Sequence, residues 1–325
     1  MTKFHNFNYL REIFIFCSIL LLINFCRNND ISVPERIELK AERTLLEEII
    51  SPEFLTRVDD KLIIASSHSD YMLHVYSLPD LKYLHFAGRK GRGPDEIPLF
   101  PMFCESLNQT LYVWGYGPRR IRKIEVNQNG ELNPNDTIDL PRYEAFNYMH
   151  IFNDSLLIYY LPDNLEIVKI DLKNQKFLDN IQMKKDDHIE SFFYSNRGTI
   201  AANDSFVVFA YLFKKQIDIY RLNDFGLHKE ITGNYKYKAP IPGDPNTVVH
   251  YYTQIVAGEN FFYALCKDNK NKSVVMEVYD YNGEFVKEFT FDLAPTLFAV
   301  DENNKTIYGF ANDDKFEPYL LRFRF

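Results

Sequence analysis

Apolar residues along most of this chain come in short runs, many alternating with polar positions, separated by turns of Asn, Asp and Gly. One unit recurs six times: an Asn/Asp turn, then a strand rich in β-branched and aromatic residues. It reads D-D-K-L-I-I-A from Asp59, N-Q-T-L-Y-V-W from Asn108, N-D-S-L-L-I-Y from Asn153, N-D-S-F-V-V-F from Asn203, E-N-F-F-Y-A-L from Glu259 and N-N-K-T-I-Y-G-F from Asn303. Successive starts lie 44 to 56 residues apart, the spacing of a four-stranded propeller blade. After each unit comes a further strand with period-two alternation. Examples are M-L-H-V-Y-S from Met72, Q-I-D-I-Y-R-L from Gln216 and Y-L-L-R-F-R-F from Tyr319. Most are followed by a turn and a fourth strand, and the Asn282-Gly283 pair is a strong hairpin signal. The pattern predicts an all-β fold, a six-bladed β-propeller of four-stranded antiparallel blades.

The last repeat ends at its third strand, so one outer strand is missing at the C-terminus. A spare strand, R-I-E-L-K from Arg36 to Lys40, stands at the other end. Pairing it with Tyr319 to Phe325 would close the ring and hide an open edge. The next residues, A-E-R-T-L-L-E-E-I-I, read as a short helix or a loop on propensity. The propeller is expected over 36–325.

Composition adds bounds. The chain has 325 residues, 46% hydrophobic and 16% aromatic, which is ample for a large core. Its formal charge of −8 provides no basic field, so nucleic acid is excluded as an expected partner. Cys104 and Cys266 fall in repeats on opposite sides of the ring, too far apart to bridge, and are expected as free buried thiols. No Cys-x-x-Cys, G-x-S-x-G or H-E-x-x-H is present.

The N-terminus carries a targeting signal. Lys3 and Arg11 precede a largely apolar run of 13 residues from Ile13 to Phe25, the length of a signal-peptide core and short for a membrane span. The run ends at Cys26. The segment L-L-I-N-F-C resembles a bacterial lipoprotein signal, with Phe25 where that family has Gly, Ala or Ser. The resemblance implies a signal peptide over 1–25, a lipidated Cys26 and a tether over 26–35.

Two stretches stand out for surface chemistry. The first is G-R-K-G-R-G-P-D-E-I from Gly88, whose glycines suit a tight crossover between blades and whose Arg89, Lys90 and Arg92 could form a recognition surface. It lacks phosphate-loop spacing. The second is W-G-Y-G-P-R-R-I-R-K, which gathers Trp114, Tyr116, Arg119 and Arg120. That mix suits an anionic or sugar-like ligand or an acidic partner surface, although packing of Trp114 between blades with solvated arginines is the better explanation.

The Gly-rich connection followed by Pro98 and Pro101 resembles the NHL-like and TolB-like six-bladed propellers. With F-A-G-R-K-G-R-G-P-D-E and the Cys26 leader, nearly the whole chain resembles the six-bladed propeller lipoproteins of Bacteroidota. The resemblance implies fold and compartment more than chemistry. The expected function is an exported, lipid-anchored module that binds a small molecule, a glycan or an envelope protein, more readily than it acts as an enzyme. No cofactor is expected. The alternative is a calcium-dependent, lactonase-like hydrolase with its metal at the channel mouth, for which Glu53, Glu105, Asn147, Asn196 and Asp301 lie near inner-strand ends. Asn and Asp are also the commonest turn residues, and turn formation is the better explanation of these positions.

Overall fold

The computed structural model describes residues 34–49, 51–66, 68–91, 96–97, 102–104, 110–114, 120–140, 147–152, 155–183, 196–233, 249–268 and 273–325. The leader, Cys26 and most of the tether lie outside them. Within them, 25 strands form six antiparallel sheets. Blade 1 holds β3 (Phe54–Val58), β4 (Lys61–Ala65), β5 (Tyr71–Ser77) and β6 (Lys82–Arg89). Blade 2 holds β7 (Met102–Cys104), β8 (Thr110–Trp114), β9 (Arg120–Val126) and β10 (Leu132–Asp139). Blade 3 holds β11 (Asn147–Phe152), β12 (Leu156–Leu161), β13 (Glu166–Asp171) and β14 (Lys176–Gln182). Blade 4 holds β15 (Gly198–Ala202), β16 (Phe206–Tyr211), β17 (Gln216–Arg221) and β18 (Leu227–Thr232). Blade 5 holds β19 (Tyr252–Ala257), β20 (Phe261–Asp268), β21 (Ser273–Asp280) and β22 (Phe285–Phe291). Blade 6 holds β23 (Leu297–Asp301), β24 (Thr306–Asn312) and β25 (Pro318–Arg324). The first strands touch one another in the order β3, β7, β11, β15, β19, β23 and back to β3, so they wall a closed ring.

The closing strand is not the expected one. β1 (Glu35–Leu39) adds to β22 as a fifth strand of blade 5, and β2 (Glu42–Leu45) completes blade 6 by pairing with β25. The register sets Glu42 opposite Arg322 and Leu45 opposite Tyr319. Asp292, just after β22, holds both segments: its carboxylate accepts the Ala41 N–H at 2.9 Å and Arg43 Nη2 at 2.8 Å. The local helix preference of residues 41–50 loses because so short a helix is marginal alone. The open edge of β25, in contrast, offers a full ladder of backbone partners. All four β2 residues are exposed, so the strand shows no apolar alternation.

The core is six separate seams, one between each pair of blades. β16 shows why the second strands read as continuous apolar runs. Val207, Phe209 and Tyr211 pack toward blade 3, while Val208 and Ala210 pack toward blade 5. Both faces are buried, so both must be apolar. The Gly-rich crossover after β6 is likewise a packing device. Gly91 N donates to Ile97 O at 2.9 Å and Ile97 N to Arg89 O at 2.7 Å. These bonds seat Ile97, 2% exposed, in the seam of blades 1 and 2. Gly88 has φ +71, and a Cβ there would meet Ile97 Cγ1 at 2.3 Å. Cys266 is free and buried, as expected; the Cys104 side chain lies outside the described residues.

Candidate functional site

The described repeat turns, those of blades 1, 4, 5 and 6, join first strand to second, so they gather at the mouth of the ring where the first strands end. Beneath those turns, residues from five blades line a cavity of about 590 Å³. Ala202, Ala257 and Ala299 leave room in its wall.

Its polar groups are held by the turn chemistry. Asn203 Oδ1 accepts the N–H groups of Ser205 at 3.0 Å and Phe206 at 2.8 Å, a side-chain mimic of a backbone turn. The Glu302 carboxylate of blade 6 accepts the N–H groups of Asn260 (3.0 Å) and Phe261 (3.1 Å), capping the turn of blade 5. Gly258 leaves room for this approach, since a Cβ there would meet Glu302 Oε1 at 2.1 Å and the carboxylate would have to shift. Arg57 Nη2 lies 3.3 Å from Asp301 Oδ2 and its Nε donates to Asp59 O at 2.9 Å. That pair closes the seam of blades 6 and 1.

Deeper in the wall sits His150, 7% exposed. Its Nε2 faces Ile200 O at 3.5 Å. A carbonyl can only accept, so Nε2 carries the proton and Nδ1 presents a lone pair. Burial lowers the His150 pKa to about 4, which keeps the ring neutral.

The two expected surface stretches lie elsewhere. Arg89 ends β6, exposed, with its guanidinium 5.8 Å from the Tyr71 ring centroid. Lys90 forms a parallel bridge with Ile97. Trp114 ends β8 but is only 4% exposed, packed with Tyr112, Met149 and Leu157 in the seam of blades 2 and 3. Arg120 opens β9, its Nε 2.9 Å from Asp139 Oδ1. Arg92, Tyr116 and Arg119 lie outside the described residues. By strand direction, both stretches leave the ring on one face, opposite the cavity mouth.

The residues considered for calcium do not converge. Glu53 and Asn196 precede their inner strands and Asp301 ends its own, at opposite mouths of the channel. Asp301 is occupied by Arg57 and by the Asn304 turn, whose N–H it accepts at 3.1 Å. Glu105 and the Asn147 side chain lie outside the described residues. Among the described residues, no group of three or more His, Cys, Asp or Glu could hold a metal ion.

Sequence reasoning missed a set of buried polar groups on the third strands. Their period-two alternation marks a polar face, yet His74, Lys169, Asp218 and Glu277 on it are all at most 8% exposed. Asp218 accepts from Tyr211 Oη at 2.6 Å, Gln216 Nε2 at 2.9 Å and Tyr220 Oη at 3.2 Å. Glu277 accepts from Tyr252 at 2.8 Å and Tyr279 at 2.9 Å, with Lys215 Nζ 2.7 Å away. Lys169 donates to the carbonyls of Leu222 and Asn223, both at 2.8 Å. A tyrosine two residues after the acid, as in D-I-Y and E-V-Y, is the signal that could have found two of them. These groups join strands and blades and leave the polar atoms satisfied. His74 lies 3.2 Å from Ser69 Oγ, the spacing of a nucleophile and its base. The Ser69 hydroxyl, however, donates to Tyr71 O, so it serves the β4–β5 turn.

No protein-family profile matches the chain. No curated protein matches it either. Solved structures do: 837 chains match, so the likeness fixes architecture rather than activity. Among them is the crystal structure of a "Putative exported protein" from Bacteroides fragilis NCTC 9343, with a TM-score of 0.58 and 13% sequence identity, covering 89% of this chain and 99% of that one. The chain is therefore similar in fold, across nearly its whole length, to that protein.

Proposed function

We propose that this chain is an exported binding module, lipid-anchored through Cys26, of the TolB-like or NHL-like propeller lipoprotein kind, and that it captures its ligand at the cavity mouth. The observation that carries this reading is the cavity of about 590 Å³, walled by five blades and rimmed by polar turns on rigid strands. The leader ending at Cys26 and the exported neighbour support passage across a membrane. A second contact region suited to an envelope partner or glycan is proposed from Arg89, Lys90 and Arg120 on the opposite face, together with Arg92, Tyr116 and Arg119, which lie outside the described residues. Trp114 supports that region from within the seam. The activity is binding, with no cofactor.

Two experiments test this. Cys26→Ser should shift the protein from the membrane fraction to the soluble one, because a lipidated cysteine makes anchoring stable. Retention in membranes with the leader attached would show an uncleaved anchor. A ligand screen by thermal shift should return compounds that raise the melting temperature, as binding to the folded state must. Asn203→Ala or Arg57→Ala should reduce that shift. Hits unaffected by any change at the mouth would place binding elsewhere.

A further inference from the structure

Among the described residues, three hairpin turns are built by the same four hydrogen bonds. In the first, Asn127 Oδ1 accepts the N–H groups of Asn129 and Glu131, both at 2.9 Å. Gly130 N donates to Asn127 O at 2.9 Å and Asn127 N to Glu131 O at 3.1 Å. In the second, Asp280 takes the place of Asn127 and Gly283 that of Gly130. In the third, between β24 and β25, Asp313 Oδ1 accepts the N–H groups of Lys315 at 2.8 Å and Glu317 at 2.9 Å. There Phe316 N donates to Asp313 O and Asp313 N to Glu317 O, both at 3.0 Å. The fourth residue is left-handed each time, with φ +83 at both glycines and +64 at Phe316. Glycine adopts this conformation freely, whereas a bulky side chain is strained in it. Leu81, Leu165 and Phe225 also have positive φ, but each is buried in a seam between blades, which offsets the strain. Phe316 is 85% exposed, so its ring gains no such packing. Strain without a packing return is a mark of a binding position.

The surroundings narrow the partner. Pro318 O accepts the Leu46 N–H at 2.9 Å, which sets the exposed Leu45 at the same end of blade 6 as Phe316. Asp313, Asp314 and Glu317 in the turn, with Glu47 next to Leu46, outnumber the one cation of the turn, Lys315. By strand direction this end lies opposite the cavity mouth, so the surface is separate from the cavity. We infer that Phe316 anchors a protein partner, entering an apolar socket rimmed by lysine or arginine. An exposed aromatic within a charged surround is the form of an interface hot spot, and the acidic surround selects a basic rim. The same charge disfavours two other occupants. A second copy meeting this patch with its own would set acid against acid, and an anionic membrane surface would repel it.

Two measurements on the full chain test this. Phe316→Gly should melt at the same temperature or higher, because glycine relieves the left-handed strain and no packing is lost. A lower melting temperature would show that the ring serves the fold, and overturns the inference. For the partner, the photo-crosslinking residue p-benzoylphenylalanine replaces Phe316 or, as a comparison on a sister turn, Asn129. The detergent-solubilised chain is then irradiated in an extract of its native cells. Position 316 should give a discrete adduct that position 129 does not. Mass mapping should place the crosslink in a partner segment where lysine or arginine flanks apolar residues. Asp314 and Glu47 are both exposed, and neither makes the bonds that build the turn. Asp314→Asn with Glu47→Gln should therefore cut the adduct yield about threefold, as should about 0.5 M salt. The inference is overturned by the lack of an adduct specific to 316, or by a crosslink to lipid, to a second copy or to a segment without basic residues. A yield indifferent to charge and salt overturns it too. None of these outcomes touches the cavity reading, whose variants lie at the other mouth.

Discussion

The Lys215 ammonium of blade 4 lies 2.7 Å from the Glu277 carboxylate of blade 5, and the Glu277 side chain is only 2% exposed. Burial pulls the Lys215 pKa down, but the Glu277 charge and hydrogen bond outweigh it and hold the group above its ordinary value. Lys215→Met should cost about 2 kcal/mol, the weak side of the buried-pair range, because the lysine remains partly open and Glu277 keeps two tyrosine donors. The pH sign follows from the raised folded pKa. The contribution is complete below the unfolded lysine value near 10.4 and fades as pH climbs through the higher folded one. Urea titrations of wild type and Lys215→Met at neutral and alkaline pH should converge; parallel curves would refute the pairing.

The two N-terminal strands should differ in weight. Deleting 35–39 removes the fifth strand of blade 5 and Leu39, 2% exposed in the seam of blades 5 and 6, and should lower the melting temperature while leaving the ladder that closes blade 6 intact. Deleting 42–45 reopens blade 6 at β25 and removes the Arg322–Glu42 contacts, one of them at 2.9 Å. That deletion should destabilise the whole ring or prevent its recovery as a soluble monomer. Scanning calorimetry of both would refute the assignment if the first deletion proved the costlier.

His150 makes stability acid-sensitive. An unfolded histidine titrates near 6.5, while burial holds the folded one at about 4. Between these values the unfolded chain binds more protons, so stability is intact above pH 6.5 and declines as pH falls toward 4. The full difference is about 3 kcal/mol. The neighbouring charge at the mouth is mostly carboxylate, so it does not oppose protonation at the upper end of this window. His150→Phe should flatten the decline over pH 6.5 to 4; an unchanged slope would assign it to other groups.

Gly88→Ala should destabilise the crossover between blades 1 and 2 by roughly 1–3 kcal/mol, combining a positive φ with a blocked approach to Ile97. Gly91→Ala is the comparison: its Cβ would meet only the flexible end of Glu96, so a smaller loss is expected in chemical denaturation. Equal losses would mean that Ile97 can shift aside.

The blade repeat was legible because two constraints coincide at each unit. The turn needs Asn or Asp, and the following strand needs apolar residues on both faces, as Val207 and Val208 show by packing into different seams. β2 was illegible because Glu42, Arg43, Thr44 and Leu45 are all exposed; its structure comes from the edge it meets, not from its own pattern. The third strands showed their alternation but not where the polar face points, so the burial of Asp218 and Glu277 was not legible. The cavity rim was hidden by shared vocabulary. Asn203 builds the turn and the adjacent Asp204 does not, yet both are ordinary turn letters. The wall alanines carry no motif at all.

The crossing of the chain from blade 5 to blade 6 also has a mechanical meaning. Tension applied ahead of Glu35 reaches β1 first, through the Arg36–Glu288 contact at 3.0 Å and the Asp292 N–H to Leu39 O bond at 3.3 Å. Only when β1 has peeled from β22 does the load pass Ala41 and Arg43 at Asp292 and arrive at β2. The fifth strand of blade 5 thus works as a fuse, giving way under strain while the clasp behind it still holds.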